Sequence, residues 1–190
     1  MSQCGACITG YANCTARVWH VDGSWVALCR HRGPVLCVAF SENLALTGSS
    51  DELAKLWCAR SGACLRVLEG HRGIVTCVCF QDGPVSGSFD GTVRLWHGTA
   101  TETRELCSPV SALASEKGLL AAGTHDGKVH LWSEERKEVL EGPEAVRSLS
   151  LSQGQVLWSD ALAARFWDFE TRKQRQTIEE AIFSVMLRPE

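Results

Sequence analysis

The chain carries the same three polar residue types twice, in the same order and at nearly the same spacing. The two sets are His31, Ser49 and Asp51, and His71, Ser88 and Asp90. A histidine that takes the proton of a serine and is oriented by an aspartate is the arrangement with which many hydrolases activate a nucleophile. A Ser-His-Asp hydrolase is therefore one hypothesis for this chain.

A structural role explains the same residues better. An enzyme rarely needs its triad twice in tandem, whereas a repeated structural unit repeats the polar residues that hold it together. Buried polar side chains must satisfy one another's hydrogen bonds, so such a set recurs as a whole. The two hypotheses differ in the accessibility of Ser49 and Ser88, which must be exposed for hydrolysis and buried for structure.

The segments around these residues form an internal repeat. Segments 31–70 and 71–107 begin HRGPVLCVAF and HRGIVTCVCF, and they continue LTGSSDELAKLW and VSGSFDGTVRLW. Weaker copies read LAAGTHDGKVHLW, VLWSDALAARFW and, at the start, ITGYANCTARVW. The copies close with tryptophans that lie 35 to 39 residues apart, namely Trp19, Trp57, Trp96, Trp132 and Trp167. Short alternating apolar runs between turn residues predict β-strands throughout.

A period near 40 residues that ends in tryptophan, with Gly-His upstream and an aspartate before the tryptophan, resembles the WD-repeat (WD40) family. The resemblance implies an all-β fold, a WD40-type β-propeller of four-stranded antiparallel sheets. The chain holds about five blades' worth of strands. Within a single domain over residues 1–190, the repeats span approximately 1–30 (partial), 31–70, 71–107, 108–142, 143–180 and 181–190 (partial).

Two arrangements of the ends are open. Residues 182–187 read as an innermost strand, which closes a five-bladed ring if it pairs with residues 6–11. Alternatively, the chain is a partial propeller, and its exposed blade faces favour self-association. We favour the partial propeller, because a start in the middle of a blade is unusual.

The resemblance also implies a hydrogen-bond chain in each repeat, from the tryptophan indole through serine or threonine and histidine to aspartate. The residues assigned to it are His31, Ser49, Asp51 and Trp57, then His71, Ser88, Asp90 and Trp96, and finally Thr124, Asp126 and Trp132. The third of these sets has no upstream histidine. We therefore expect the outer repeats to be less stable than the two middle ones.

As a WD-repeat propeller, the chain is expected to be a non-catalytic platform for protein–protein interaction, with its contacts at the rim of the central channel. Two repeated positions point to that rim and give Leu36, Ser50, Thr76, Phe89, Ser111, His125, Arg147, Ser159 and Phe183, with Ala12 as a looser equivalent. Apolar and aromatic side chains outnumber cations in this set. We therefore expect a protein or peptide ligand with an apolar anchor, no need for phosphorylation, and weak salt dependence.

A narrower resemblance is carried by the phrase SGACLRVLEGH at 61–71 together with SGSFDGTVRLW. These phrases are similar to the F-box/WD-repeat substrate receptors of ubiquitin ligases. The phosphodegron readers of that family use several arginines at the two rim positions, and only Arg147 matches here. No F-box-like segment precedes the repeats, so the part that binds the ligase is expected to be missing from this chain.

Composition limits the remaining classes of function. The chain has 190 residues and a net charge of −3, which argues against nucleic acid or an anionic membrane as the main partner. Ten cysteines without a secretory signal indicate reduced thiols in the cytoplasm or nucleus. Cys4, Cys7 and Cys14 could suggest zinc, but a single CxxC without a second pair is a weak signal. We expect no metal and no cofactor.

Overall fold

The computed structural model describes residues 6–98 and 100–178, and in these residues the chain forms β-strands joined by turns. The strands assemble into five antiparallel sheets, numbered here in chain order. Sheet 1 has three strands and each of the other sheets has four. This is the all-β propeller architecture predicted from the sequence. In the described part of the chain, no helix has the length and apolar character needed to cross a membrane.

The strand bounds are as follows. Sheet 1 contains β1 (Cys7–Gly10), β2 (Thr15–Trp19) and β3 (Trp25–Cys29). Sheet 2 contains β4 (Val35–Ser41), β5 (Leu44–Ser49), β6 (Ala54–Cys58) and β7 (Cys64–Leu68). Sheet 3 contains β8 (Val75–Phe80), β9 (Pro84–Ser88), β10 (Thr92–His97) and β11 (Ala100–Glu105). Sheet 4 contains β12 (Val110–Glu116), β13 (Leu119–Thr124), β14 (Lys128–Trp132) and β15 (Lys137–Glu141). Sheet 5 contains β16 (Ser148–Ser152), β17 (Gln155–Ser159), β18 (Ala164–Asp168) and β19 (Lys173–Ile178).

Each four-stranded sheet is a simple meander whose first strand lies nearest the propeller axis. The four innermost strands β4, β8, β12 and β16 line one cavity of about 400 Å³. Sheet 1 contributes β1, which corresponds to a second strand and packs beside β4. The predicted partner of β1, residues 182–187, lies outside the described residues.

Successive sheets approach each other most closely at a repeated glycine–valine contact. A Cβ added to Gly48 would lie 2.6 Å from a methyl carbon of Val75 in the next sheet, closer than real Cβ atoms come. The other pairs, at 2.8, 2.7 and 2.4 Å, are Gly10 with Val35, Gly87 with Val110, and Gly123 with Val146. Any side chain at these glycines would therefore push neighbouring sheets apart.

The hydrophobic core is divided into four clusters, one between each successive pair of sheets. Alternate residues of a strand point to opposite faces, so each sheet supplies one face to the cluster before it and the other to the cluster after it. The closing tryptophans of sheets 2, 3 and 4 are buried in these clusters. The core therefore fixes each sheet through its neighbours, as in other repeat architectures.

Candidate functional site

In sheet 2, a chain of hydrogen bonds connects the core to the loop before β4. The indole Nε1–H of Trp57 donates to Thr47 Oγ1 at 2.9 Å, and Thr47 Oγ1 lies 2.7 Å from His31 Nε2. His31 Nδ1 lies 2.9 Å from a carboxylate oxygen of Asp51, which also accepts the backbone N–H of Arg32 at 2.8 Å. Burial lowers the pKa of His31, because it disfavours the imidazolium. The neutral ring then donates to Asp51 and accepts from Thr47.

Sheet 3 repeats the arrangement. Trp96 Nε1–H donates to Ser86 Oγ at 2.9 Å, Ser86 Oγ lies 2.8 Å from His71 Nε2, and His71 Nδ1 lies 3.1 Å from Asp90. Thr92 adds donation to the same carboxylate from its backbone N–H and its hydroxyl. Burial alone would raise the pKa of Asp90, but these hydrogen bonds and the adjacent imidazole lower it to about 2. The carboxylate is therefore ionised at neutral pH.

The serines assigned to this chain from the sequence, Ser49 and Ser88, do not contact the histidines, and this part of the prediction is wrong. The bonding residues are Thr47 and Ser86, which lie two positions earlier on the same face of the strand. Ser49 instead donates to Gly33 O at 2.9 Å and accepts the N–H of Asp51. Ser88 bonds the corresponding atoms one sheet later. Both serines therefore anchor the turn that carries the aspartate.

Sheet 3 has the connectivity of a hydrolase triad, with Ser86, His71 and Asp90 in line. However, Ser86 is 0% exposed, and its hydroxyl oxygen is occupied by the indole of Trp96. A nucleophile must be reachable by a substrate carbonyl, and this hydroxyl is enclosed on all sides. Ser49 and Ser88 are also fully buried. Because these serines are buried, their accessibility favours the structural role over hydrolysis.

In sheet 4, the assigned residues do not form the chain. Thr124 Oγ1 donates to Asp126 at 2.5 Å, while the indole N–H of the buried Trp132 has no partner among the described residues. The position of Thr47 is taken by Ala122, which lies opposite His130 as Thr47 lies opposite Lys55. Burial would raise the pKa of Asp126, but Lys128 and Thr124 lower it to about 2. The aspartate here belongs to a surface ion pair.

The rim residues predicted from the sequence fall into two groups, and the first is exposed. Phe89 is 50% exposed and Leu36 is 48% exposed, and both protrude from the end of the propeller that carries the loops before the innermost strands. The rings of Phe89 and His125 meet edge to face, with centroids 5.6 Å apart. Arg147 is exposed, as is the looser equivalent Ala12. The structure thus brings Phe89 and His125 together from neighbouring sheets.

The second group is occupied by contacts within the fold. Thr76 Oγ1 and Ser111 Oγ each donate to a carbonyl of the next sheet, Val110 O and Val146 O, at 2.6 Å. Ser159 is 0% exposed, so its assignment as a contact residue is wrong. Ser159 lies opposite Ala164 as Gly48 lies opposite Ala54, so it holds the register position of the glycine in the glycine–valine contacts. Ser50 is half-buried, and Phe183 lies outside the described residues.

Comparison with known proteins places this geometry in a family. The profile of the family described as WD domain, G-beta repeat matches residues 23–58 and 62–97. This chain contains WD40 repeats. The two matched segments include Trp57 and Trp96, whose indoles end the two complete hydrogen-bond chains.

Similar proteins are longer WD40-repeat relatives. The chain is 31% identical over 159 residues to Periodic tryptophan protein 2 of Arabidopsis thaliana, covering 75% of this chain and 17% of that protein. It is 28% identical over 170 residues to Apoptotic protease-activating factor 1 of Rattus norvegicus, covering 86% and 12% respectively. It is 29% identical over 124 residues to human Angio-associated migratory cell protein, covering 58% and 28%. The chain thus spans less than a third of the length of these relatives.

Two features of the WD40 surface were not predicted from the sequence. Ile74 is partly exposed beside Phe89, whose backbone N–H donates to Ile74 O at 2.9 Å. An isoleucine before a strand gives no signal that distinguishes it from core. The second feature is a pocket of about 440 Å³ between the loop at 70–72 and β10–β11. Its residues are far apart in the sequence, so no spacing reveals it.

The described cysteines form no disulfide, and Cys77 is buried in the core. Burial raises the pKa of Cys77 and of Cys79 to about 12, so both remain uncharged thiols. Cys7 is exposed and Cys14 is half-buried, while Cys4 lies outside the described residues. Over residues 6–98 and 100–178, no three His, Cys, Asp or Glu side chains are grouped so as to hold a metal ion.

Proposed function

We propose that this chain is a non-catalytic platform that binds a protein or peptide segment through an apolar anchor. The observation that carries the proposal is the exposed aromatic–aliphatic surface formed by Phe89, His125 and Ile74, called here the anchor patch. A half-exposed phenylalanine at a turn is costly to leave in water and is typical of an interface core.

The patch is held rigidly. Phe89 directly precedes Asp90, whose carboxylate accepts hydrogen bonds from His71, Arg72 and Thr92. These bonds fix the turn on which the phenyl ring stands, so little conformational entropy is lost when a partner binds. The buried hydrogen-bond chain of sheet 3 therefore fixes the position of the exposed phenyl ring of Phe89.

The chemistry of the patch favours an apolar anchor over a phosphate group. Arg147 is the single arginine among the predicted rim residues, and one guanidinium cannot supply the clustered charge-assisted bonds with which phosphate readers work. The net charge of −3 also supports a protein partner over nucleic acid or an anionic membrane. Uncharged buried thiols suit the reducing cytoplasm or nucleus, where we place this platform.

The narrower role of substrate receptor in a ubiquitin ligase rests on the phrases at 61–71 and 86–96, and no contact of the described residues adds to it. Self-association through exposed sheet faces is the further property expected of a partial propeller. Light scattering on the purified chain tests it directly. A concentration-dependent mass supports the partial propeller, and a monomer at all concentrations supports the closed ring.

The platform is tested with a random dodecapeptide library displayed on phage and panned against the immobilised chain. Selected peptides are synthesised and their Kd measured by fluorescence polarisation. We expect an apolar residue common to the selected peptides, and Phe89→Ala to weaken binding about tenfold or more. Leu65→Ala is the matched control, because Leu65 is also about half exposed but lies on the outermost strand β7.

Equal binding by wild type and Phe89→Ala contradicts the proposal. If Arg147→Ala abolishes binding while Phe89→Ala leaves it intact, the site is an anion reader instead. Labelling of Ser86 by a fluorophosphonate would revive the hydrolase hypothesis.

A further inference from the structure

Beside the anchor patch, on its side away from the axis, the 440 Å³ pocket is lined by two arginines, Arg72 and Arg94. Arg72 directly follows the buried His71, and its side chain is exposed. Arg94 projects from β10, two residues before Trp96. Neither guanidinium forms an ion pair within residues 6–98 and 100–178. The pocket, called here the outer pocket, therefore holds two guanidiniums without an ion pair, together with the carboxylates of Asp90 and Glu105.

The residues at the register position of Arg94 in the other sheets make other contacts. Arg17 packs on the ring of Trp25, Lys55 donates to Arg30 O and Arg165 pairs with Asp160. His130 stacks on Trp132, although its buried Nε2 has no hydrogen-bond partner among the described residues. Arg94 lies only loosely over Trp96, at 5.9 Å, and its Nε–H is buried without a hydrogen-bond acceptor among the described residues. The part of the Arg94 guanidinium that faces the pocket is therefore not engaged by an ion pair or a hydrogen bond among the described residues.

The backbone is shaped to keep the Arg94 guanidinium in place. Gly70 has a φ of +141°, and a Cβ added there would lie 2.7 Å from an Arg94 nitrogen. A side chain at position 70 would thus displace the guanidinium from the pocket. The two threonines of the lining, Thr92 and Thr103, add hydroxyl groups beside it.

The other charges of the lining decide which anion fits. The carboxylate of Asp90 is already occupied by His71, Thr92 and the backbone of Arg72. Glu105 stands at the rim of the pocket, exposed to solvent. Asp90 and Glu105 repel a dianion such as a phosphate monoester about twice as strongly as a singly charged carboxylate group. The carboxylate can still accept hydrogen bonds from the guanidiniums of Arg72 and Arg94.

We propose that the outer pocket binds the carboxylate of an aspartate or glutamate side chain of the same partner whose apolar residue covers the anchor patch. This inference rests on the proposed function, and it specifies the ligand as a segment with an apolar anchor and one neighbouring acidic residue. The guanidiniums of Arg72 and Arg94 hold the carboxylate. The apolar anchor supplies most of the affinity and the acidic residue supplies selectivity.

The test is to pan the same dodecapeptide library against wild type, Arg94→Gln and Arg72→Gln. Arg32→Gln is the matched control, because Arg32 occupies the place of Arg72 in sheet 2, where Lys55 is already bonded. Thermal melts establish that each variant is folded. Arg72 is exposed, so Arg72→Gln carries the test if Arg94→Gln proves unstable.

We expect peptides selected on the wild type and on Arg32→Gln to share an apolar residue and a nearby Asp or Glu. The acidic residue should vanish from peptides selected on Arg94→Gln or Arg72→Gln, while the apolar residue stays. Replacing that acid by its amide should weaken binding about tenfold on wild type and less than twofold on Arg94→Gln.

Three results overturn the inference. Selection of apolar peptides without acid enrichment removes the outer pocket from recognition and leaves the proposed function standing. Displacement of a bound peptide by inorganic phosphate well below the concentration at which acetate displaces it assigns the pocket to phosphate. Failure of every variant and the wild type to select any peptide ends both the inference and the proposed function.

Discussion

In sheets 2 and 3 a histidine joins the closing tryptophan's hydrogen-bond chain to the turn aspartate, whereas sheets 4 and 5 have no histidine at that position. Where sheet 3 places His71 and Ser86 beside Trp96, sheet 4 packs Leu106 and Ala122 against Trp132. The replacement is made in both partners at once. Sheet 4 keeps the tryptophan, so its buried indole N–H is left without an acceptor among the described residues.

Sheet 5 shows a third arrangement, in which the large side chain stands on the strand and the small residue stands in the loop. Trp158 stands at the position of Thr47, since each lies opposite the residue two before the closing tryptophan. The loop residue beside the indole is Gly142, so a large side chain on the strand fills the space that histidine occupies in sheets 2 and 3. Packing volume is conserved while hydrogen bonding is lost, which is the kind of change a core tolerates.

The largest effect we expect comes from breaking the polar solution on one side. His71→Ala should lower the free energy of unfolding by about 3 kcal/mol, because it removes one hydrogen-bond partner from Asp90 and one from Ser86 and opens a cavity. Chemical denaturation measures this loss. His125→Ala is the control, since this histidine is exposed and should cost less than about 0.5 kcal/mol. Equal losses for the two variants would contradict the structural role of the chain.

Replacing the polar pair of sheet 3 by the apolar pair of sheet 4 should lower the free energy of unfolding by less than the two single substitutions do in sum. The double variant His71→Leu with Ser86→Ala removes both polar partners together. Relative to the sum of the single substitutions, we expect a favourable coupling of about 1–2 kcal/mol. A double-mutant cycle by urea denaturation gives this value. Strict additivity would show that the two residues do not act as a unit.

A smaller effect should distinguish wild type from the apolar double variant by the pH dependence of the free energy of unfolding. Burial lowers the pKa of His71 in the folded state, and the unfolded chain takes up its proton near pH 6.5. Stability from this residue is therefore complete above pH 6.5 and declines as the pH falls below it. The same sign holds for His31 and His130. The double variant should thus lose less stability between pH 7 and pH 5 than wild type, and an unchanged slope refutes this.

The smallest effect should come from giving sheet 4 part of the polar solution. Ala122→Ser places a hydroxyl at the position of Ser86 and offers Trp132 Nε1–H an acceptor. We expect a gain of about 0.5 kcal/mol in the free energy of unfolding. Ala121→Ser is the matched control, because the neighbouring residue is equally buried on the other face of β13 and should destabilise. A loss in both variants would show that sheet 4 has no room for the hydroxyl.

Periodic features of the sequence predicted most of the fold. The hydrogen-bond partners within each sheet depend on local strand register and were not all predicted. The closing tryptophans and the turn aspartates repeat strictly enough to locate sheets 2, 3 and 4. Thr47 and Ser49 are both small hydroxyl residues on one face of β5, so the sequence does not tell which of them meets His31. The register of β5 against β6 decides it.

The candidate site was predicted less completely. Phe89 was identified because its position repeats, and its exposure agrees with that reasoning. Ser159 was assigned by the same rule, but sheet 5 lacks a residue in its turn, and the serine falls at the inward glycine position. The outer pocket depends on Arg94 lacking the partner that Lys55 has, and this is a property of side-chain contacts which no repeat pattern encodes.

The glycine–valine contacts also determine where this chain can diverge during evolution. Near the axis, Gly48 and Val75 meet without room for one further carbon, so substitution there disturbs two sheets at once. Sheets that touch at the centre splay apart toward the circumference, where Leu65 and Val139 on the outermost strands remain about half exposed. Outermost strands as different as CLRVL, ATETRE and KQRQTI are accepted in the same place. New surfaces can therefore arise on the circumference of one sheet without a compensating change in its neighbour.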